Sequence, residues 1–306
     1  MPGDPAHEVA GTYATTDQIA AVRERLGLDK PILVQYGLYL TRLMHADLGV
    51  SLSTKQNVAK ELQIYFPATL ELGLASMFIV VLVGVPIGVL TGTGRFRGIN
   101  TFAMFSAVAA AGMPVFVSGL VLQIIFFGIL DWLPISGRLS SDFQPPPSLT
   151  RMYTLDAFIA GQWATFGNAS LHILLPAVTL AIPSIAATAR ITHASMQATL
   201  RMDYIRTARA KGAPFHIVLL RHALKNALLP VVTLIAMQAG WLLSGSIIVE
   251  NIFSWGGLGT YAWVGIFRLD QPVIMGITLV TTLTFVFLNF IADVSYAYLD
   301  PRISYE

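Results

Sequence analysis

The chain has 306 residues, of which 55% are hydrophobic and only 12% charged, with a formal net charge of +2 and no cysteine. Soluble domains carry about a quarter charged residues, so this composition excludes an ordinary soluble globule, and so small a net charge argues against a nucleic-acid partner. Disulfide frameworks and thiolate metal sites are excluded, while the redox compartment is left open.

In chain order, residues 1–65 come first. TDQIAAVRERLGLDKP and VQYGLYLTRLMHADLGVSL read as short amphipathic helices, with a turn bounded by Lys30 and Pro31. MPGDPAHEV reads as neither a signal peptide nor a span. Five apolar runs follow at approximately 68–90, 102–130, 171–189, 229–249 and 273–297. Each is near the roughly 20 residues that cross a bilayer as a helix. The expected architecture is therefore an all-α integral membrane bundle with five visible transmembrane helices. Pro86, Pro114, Pro176 and Pro183 lie within these runs, where neighbouring helices and Ser or Thr side chains can satisfy the freed carbonyls. Gly84, Gly88 and Gly92 make two overlapping GxxxG steps. They fit close helix packing, or relief of crowding around Pro86.

Charge sets the orientation. Residues 203–230, DYIRTARAKGAPFHIVLLRHALKNALLP, hold Arg206, Arg209, Lys211, Arg221 and Lys225, with Asp203 the only acid. Lys and Arg resist translocation, so this loop is expected to face the cytoplasm. Arg95 and Arg97 fall on the same side if the chain alternates. The loops 131–170 and 250–272 fall outside, as does the 1–65 region, and the tail DPRISYE returns inside. On charge alone, residues 203–230 fit equally a loop that binds anionic lipid headgroups.

Other chemistry finds little support. No G-x-x-x-x-G-K-S/T phosphate loop occurs, so the chain itself is not expected to hydrolyse ATP. The histidines show no metal-ligand spacing; His193 and His222 read as interfacial. Glu71, Glu250 and Asp293 lie near span ends, where a solvated headgroup position and a transport role both remain open. Trp255 and Trp263 fit interfacial anchors. Mid-membrane charges and paired broken helices of an internal repeat, as in a secondary transporter, are not found.

An ordered series of motifs runs along the chain. They are Pro2-Gly3-Asp4-Pro5, LGLD-P at 26–31, DLGVS at 47–51, FPATLELG at 66–73 and LPISG at 133–137. YIRTARAKG at 204–212, RHALKNALLPVVT at 221–233, FSWGGLG at 253–259 and DPR at 300–302 complete it. In this series the chain resembles the permease subunits of binding-protein-dependent ABC importers, of the dipeptide/oligopeptide/nickel type.

The resemblance implies a type I importer-like permease bundle at 66–306, preceded by an extracytoplasmic N-terminal region at 1–65. It also implies one more span ahead of PGDP, so the usual first helix is expected to be missing, through a start site set too late or as a five-span variant. The segment 201–230 resembles the cytoplasmic coupling motif EAA-x-x-x-G, with Arg206, Thr207 and Ala208 aligned and Gly212 closing it. Arg206 stands where the family has Glu, which removes any salt bridge borrowed from other permeases. The implied ATPase-coupling residues are Asp203, Tyr204, Arg206, Thr207, Ala208, Arg209, Ala210, Lys211, Gly212 and Ala213.

Small residues, Ala208 and Ala210, suit a close partner surface. Gly212 suits a helix end, and Pro214 a helix start. The loop holding Trp255, Gly256, Gly257 and Gly259 is implied to face an external solute-binding protein. The implied partners are a second homologous permease, two ATPase subunits carrying ATP and Mg, that binding protein, and membrane lipid in the bacterial or archaeal inner membrane. No catalytic residue, metal site or cofactor is expected in this chain. The expected cargo is a peptide or similar small solute; a nickel chelate, glutathione or another solute, or a non-transporting truncated permease, stand as alternatives.

Overall fold

A computed structural model describes residues 5–11, 13–94, 98, 109, 112–244 and 246–299. Among these the chain is helical, with a single isolated β-bridge between Val50 and Asn57. Short helices α1 (Pro5–Ala10), α2 (Thr16–Leu26) and α3 (Ile32–Met44) come first. They are followed by α4 (Val58–Gly92) and α5 (Val115–Ile129). Next come α6 (Tyr153–Ile159), α7 (Trp163–Leu200) and α8 (Asp203–Ala210). α9 (Phe215–Ala227) leads into α10 (Leu229–Ser244), α11 (Ser246–Ile252), α12 (Leu258–Phe267) and α13 (Gln271–Leu299).

Local chemistry sets many boundaries. Thr15 and Gln18 form a reciprocal capping box at the start of α2, and Gly27, at φ +69°, ends it in the left-handed region. The Asn57 side chain accepts from Ala59 and Lys60 N–H and so begins α4. From there α4 runs through residue 65/66, where the N-terminal region was expected to end. A widened π-helical turn at Val80–Gly84 comes directly before Pro86, whose ring cannot accept the carbonyl four residues back in an ordinary turn. Pro230 in the first turn of α10 similarly denies a partner to Asn226, and α9 meets α10 at a 51° bend.

Among the described residues, three helices are long and apolar enough to span a membrane alone, Val58–Gly92, Trp163–Leu200 and Gln271–Ile291, and the bent α9–α10 pair passes the same test together. The expected run at 102–130 begins outside the described residues; its described part is α5. The 38 residues of α7 rise about 57 Å at 1.5 Å each, well beyond the roughly 30 Å hydrocarbon layer. Pro176 and Pro183 sit inside α7 without ending it.

α7 is the central strut. α4 lies along it through the three glycines, because a Cβ on Gly88 would stand 2.3 Å from Thr192 Cβ and 2.6 Å from Ala189 O. One on Gly92 would meet Met196 at 2.6 Å, and one on Gly84 would meet Thr188 at 3.1 Å. The glycines thus face Thr188, Thr192 and Met196 at four-residue steps, so they serve backbone approach rather than relief around Pro86. Gly240 of α10 instead makes room for the Phe285 ring of α13, which a Cβ there would meet at 2.3 Å. Three buried apolar clusters result. One fills the α4–α7 centre around Leu72, Leu175, Leu180 and Trp255. A second joins Val58 and Leu62 to Tyr261 and Val273. The third, Met196, Ile205, Val218, Ala223 and Ala227, sits under α8.

Candidate functional site: a mounted cationic helix and a polar outer cap

At one end of the bundle α8 stands on a single apolar post. Ile205 is fully buried, while Tyr204, Arg206, Thr207, Arg209 and Ala210 on the same helix are exposed. Ala208 and Ala213 are half-buried and pack on the Met196–Val218 cluster. Ala208 therefore faces the chain's own core, and Ala210 is the small residue left outward. Gly212, at φ +76°, closes the helix. Ala213 N–H donates to Ala208 O at 3.2 Å, and Gly212 N–H to Arg209 O at 3.0 Å. That pair of bonds is a Schellman end, with the residues at its two apolar positions, 208 and 213, turned inward.

Pro214 then caps α9, and Val218 N–H donates to its carbonyl at 3.1 Å. Asn226 Nδ2 donates to the Tyr204 hydroxyl at 2.8 Å, tying α8 to the far end of α9. Asp203 and Arg206 make an exposed ion pair at 3.6 Å, which contributes little stability. The outward face carries Arg206, Arg209, Lys211 and Gly212, with α9 adding exposed Arg221 and Lys225. The structure thus gathers the sequence candidates 203–213 into one rigid corner. It also adds Ile205, Val218, Ala223 and Met196, whose apolar character in a charged stretch was the available signal.

The opposite end is a layer of buried polar side chains. Glu71 accepts from Arg138 Nη2 at 2.6 Å, and its other oxygen accepts from Thr154 N–H and Oγ1, both at 2.7 Å. Arg138 lies 3.8 Å over the Tyr153 ring. Glu250, fully buried, accepts from Thr69 Oγ1 at 2.6 Å and from Gly259 and Thr260 N–H at 2.8 and 3.2 Å. It sits at the N-terminus of α12, where backbone N–H groups favour an anion. Neither glutamate occupies a solvated headgroup position; both are enclosed and hydrogen-bonded. The side chain of Asp293 lies outside the described residues, as do Arg95, Arg97, the first motif residues Pro2, Gly3 and Asp4, and Asp300–Arg302.

Two motif loops meet in this cap. Gly137 N–H of LPISG donates to Phe253 O of FSWGGLG at 2.8 Å. His172 is buried beneath them, with Nδ1 at 3.0 Å from Ser136 O and Nε2 at 3.0 Å from Ser140 Oγ. A carbonyl only accepts, so Nδ1 carries a proton, and in the neutral ring Nε2 accepts from Ser140. His193 reaches Thr91 Oγ1 at 3.0 Å.

Trp255 is 1% exposed and donates from Nε1 to Ala68 O at 2.8 Å. It is a core residue and not an interfacial anchor, because its ring fills the gap between α4 and the loop. Trp263, by contrast, is about half exposed. A Cβ on Gly257 would stand 2.4 Å from Thr69 Oγ1, and one on Gly259 2.5 Å from Ile247 Cα. Trp255, Gly257 and Gly259 therefore shape the loop from within, and Gly256, at φ +72°, is its partly open residue.

Asp270, also fully buried, accepts from Ser51 Oγ at 2.7 Å, Ser53 N–H at 2.9 Å and Ser53 Oγ at 2.8 Å. Burial works against its charge, but the bonds from Ser51 and Ser53 outweigh it and hold the carboxyl below its ordinary value. Sequence reading missed Arg138, His172 and Asp270, since each partner lies far away in the chain.

The described residues thus form a multi-pass helical membrane bundle with a polar cap at one end and a projecting cationic helix at the other. Residues 84–305 match the family described as binding-protein-dependent transport system inner membrane component, and residues 1–73 match the N-terminal region of such components. The chain belongs to this family.

It is 41% identical over its whole length to the dipeptide transport system permease protein DppB of Alkalihalophilus pseudofirmus, covering 91% of that protein. It is 39% identical to the probable D,D-dipeptide transport system permease protein DdpB of Escherichia coli K12, across 99% of this chain and 89% of that one. The glutathione transport system permease protein GsiC of Salmonella paratyphi A is 37% identical, across 100% of this chain and 90% of that protein.

In fold it is similar to a chain of the inward-facing MetNI methionine ABC transporter, with a TM-score of 0.57 at 16% identity, covering 76% of this chain and 93% of that one. A chain of an amino acid ABC transporter solved with histidines gives 0.53 at 17% identity, covering 85% and 98%. The protein is thus a multi-pass permease subunit of an ABC importer in the inner membrane. It is not itself an enzyme, and it works with a solute-binding protein and ATPase partners.

Proposed function

We propose that this permease carries di- or oligopeptides, or peptide-like solutes such as glutathione, as one half of a pathway completed by a second homologous permease. Relatives named for dipeptides, D,D-dipeptides and glutathione support that cargo class. Two ATPase subunits bind ATP and Mg and receive α8, and the cap with its 253–259 loop faces the binding protein. This puts α8 and the C-terminus in the cytoplasm and residues 1–65 outside.

The mounting of α8 carries the coupling role. Its cations project outward while Ile205 and the Schellman end fix it to α9, which continues through the 51° bend into the span α10. A lipid-binding loop needs charge but no such rigid mount. Movement of an ATPase cleft around α8 would therefore turn α10, and with it the spans, between inward-open and outward-open arrangements.

The test is co-purification of the assembly and cargo-stimulated ATP hydrolysis with Gly212→Glu and Gly212→Asn. Both residues enter a left-handed backbone position, which Asn tolerates. Gly212→Asn is expected to retain coupling, while Gly212→Glu stays in the membrane but loses ATPase association or stimulation. Equal behaviour of Gly212→Glu and wild type would leave α8 as a basic loop only. Uptake of labelled dipeptides and glutathione by the reconstituted assembly tests the cargo class.

A further inference from the structure

From Met152 to Ala189 the only ionisable side chains of the Asp, Glu, His, Lys and Arg types are Asp156 and His172, at 1% and 5% exposure. The run of residues without an exposed charge therefore begins well before the apolar span of α7. In that lead-in, Leu155, Phe158, Ile159 and Trp163 are 41%, 53%, 55% and 64% exposed. Phe158 and Trp163 stand edge-on at 5.6 Å, and Phe166 joins them at 5.8 and 6.4 Å. α6 meanwhile turns its polar groups inward. Asp156 accepts from Thr150 and Arg151 N–H at 2.8 Å each, and Thr154 binds Glu71.

The height of this corner follows from α7. Exposed Arg190 closes the apolar run at its inner end, and about 20 residues cross the hydrocarbon, which puts the outer boundary near residue 170. Phe166 then lies about 6 Å beyond it at 1.5 Å per residue, within the headgroup layer that adds roughly 5–8 Å per side, and Trp163, about 10 Å beyond, stands at the outer edge of that layer. Along α7 the exposed Trp163, Leu171 and Leu174 share one face, so the aromatic corner continues a lipid-facing stripe.

We infer that α6 and the first turn of α7 form an aromatic collar seated in the headgroup layer of the outer leaflet, with Phe158, Ile159 and Trp163 as its lipid contacts. The amphipathic indole of Trp163 suits that layer, and Phe158 and Ile159 add apolar area beside it. The inference rests on the proposed orientation only for which leaflet is meant.

The chain has no cysteine of its own, so single spin labels can be placed at Ile159→Cys, Ser141→Cys and Leu174→Cys in the assembled transporter in lipid nanodiscs. All three sites are exposed or partly exposed, which limits any folding cost. Relaxation by oxygen is compared with relaxation by a water-soluble nickel chelate. The collar predicts an Ile159 label biased toward oxygen, reading between Ser141 and Leu174 or at Leu174. A reading equal to Ser141 overturns it. So does a label shielded from both reagents, which would mean cover by protein, or one shielded only when binding protein is added, which would make the corner a docking face. Labelling of Ser141→Cys by a membrane-impermeant reagent in right-side-out vesicles tests the orientation separately.

Discussion

Thr69 and Glu250 are separated by 181 positions and meet at 2.6 Å, the Thr69 hydroxyl donating to the carboxylate while accepting from Leu258 N–H at 2.7 Å. One side chain on α4 thus satisfies the first N–H group of α12 and the carboxylate that caps the next two. Thr69→Val keeps the volume and removes both bonds, leaving a buried N–H and a buried charge short of a partner. The expected cost is about 1.5–3 kcal/mol, seen as a lower thermal midpoint of the detergent-solubilised assembly. Thr69→Ser is expected to keep most of the stability.

Glu71 and Arg138 form a buried ion pair at 2.6 Å, with exposures of 3% and 12%. Removing one partner strands the other charge, so Arg138→Gln or Glu71→Gln alone is expected to cost about 3–5 kcal/mol. The double variant is expected to cost clearly less than the sum. A double-mutant cycle by thermal unfolding measures the difference, and simple additivity would mean that the pair does not interact.

The glycine seam between α4 and α7 predicts an order of severity. Alanine at Gly88, whose Cβ would stand 2.3 Å from Thr192, is expected to be worst, Gly92 next, and Gly84, at 3.1 Å, mildest. Overpacking of this kind costs about 1–3 kcal/mol. Thr192→Gly is expected to rescue Gly88→Ala only in part, because Ala189 O remains 2.6 Å away. Membrane yield and melting of the four variants give the ranking.

Asp270 predicts acid sensitivity at the cap. Its folded-state pKa is lowered, so its contribution is complete above the unfolded value near pH 4 and is lost as pH falls through the lower folded value. Proteolysis of residues 45–57 is therefore expected to be flat from pH 8 to about pH 5 and to rise only in stronger acid. Asp270→Asn is expected to raise it at every pH and to flatten the acid limb.

Ile205→Ala tests the post beneath α8. Ile205 is fully buried in its own cluster, at 0% accessibility, so truncation should cost about 2–5 kcal/mol locally. The expected result is loss of cargo-stimulated hydrolysis with normal membrane insertion, whereas Arg206→Ala on the open face should leave melting unchanged.

The spans in α4, α7 and α13, the cationic loop and its Gly212–Pro214 break were legible because hydropathy, charge and turn chemistry are local properties. The 171–189 run marked only the bilayer-level part of α7, which continues to Trp163 and Leu200, since the ends of a long strut carry ordinary polar residues. The paired glycines suggested close packing, but no sequence spacing told which helix they met. Trp255 read as an anchor because aromatic residues suit both interface and core, and only the fold shows α4 closing over it.

By itself, then, the sequence determined a multi-pass helical membrane protein, its charged face and the place where its cationic segment bends. Hydrophobic periodicity, prolines and glycines act within a few turns, and those effects are written in neighbouring residues. The tertiary structure alone decided which buried polar groups find each other. Thr69 with Glu250, Glu71 with Arg138 and Ser51 with Asp270 are each set by helices brought side by side. A buried charge demands a partner, but the chain order does not say from where that partner comes.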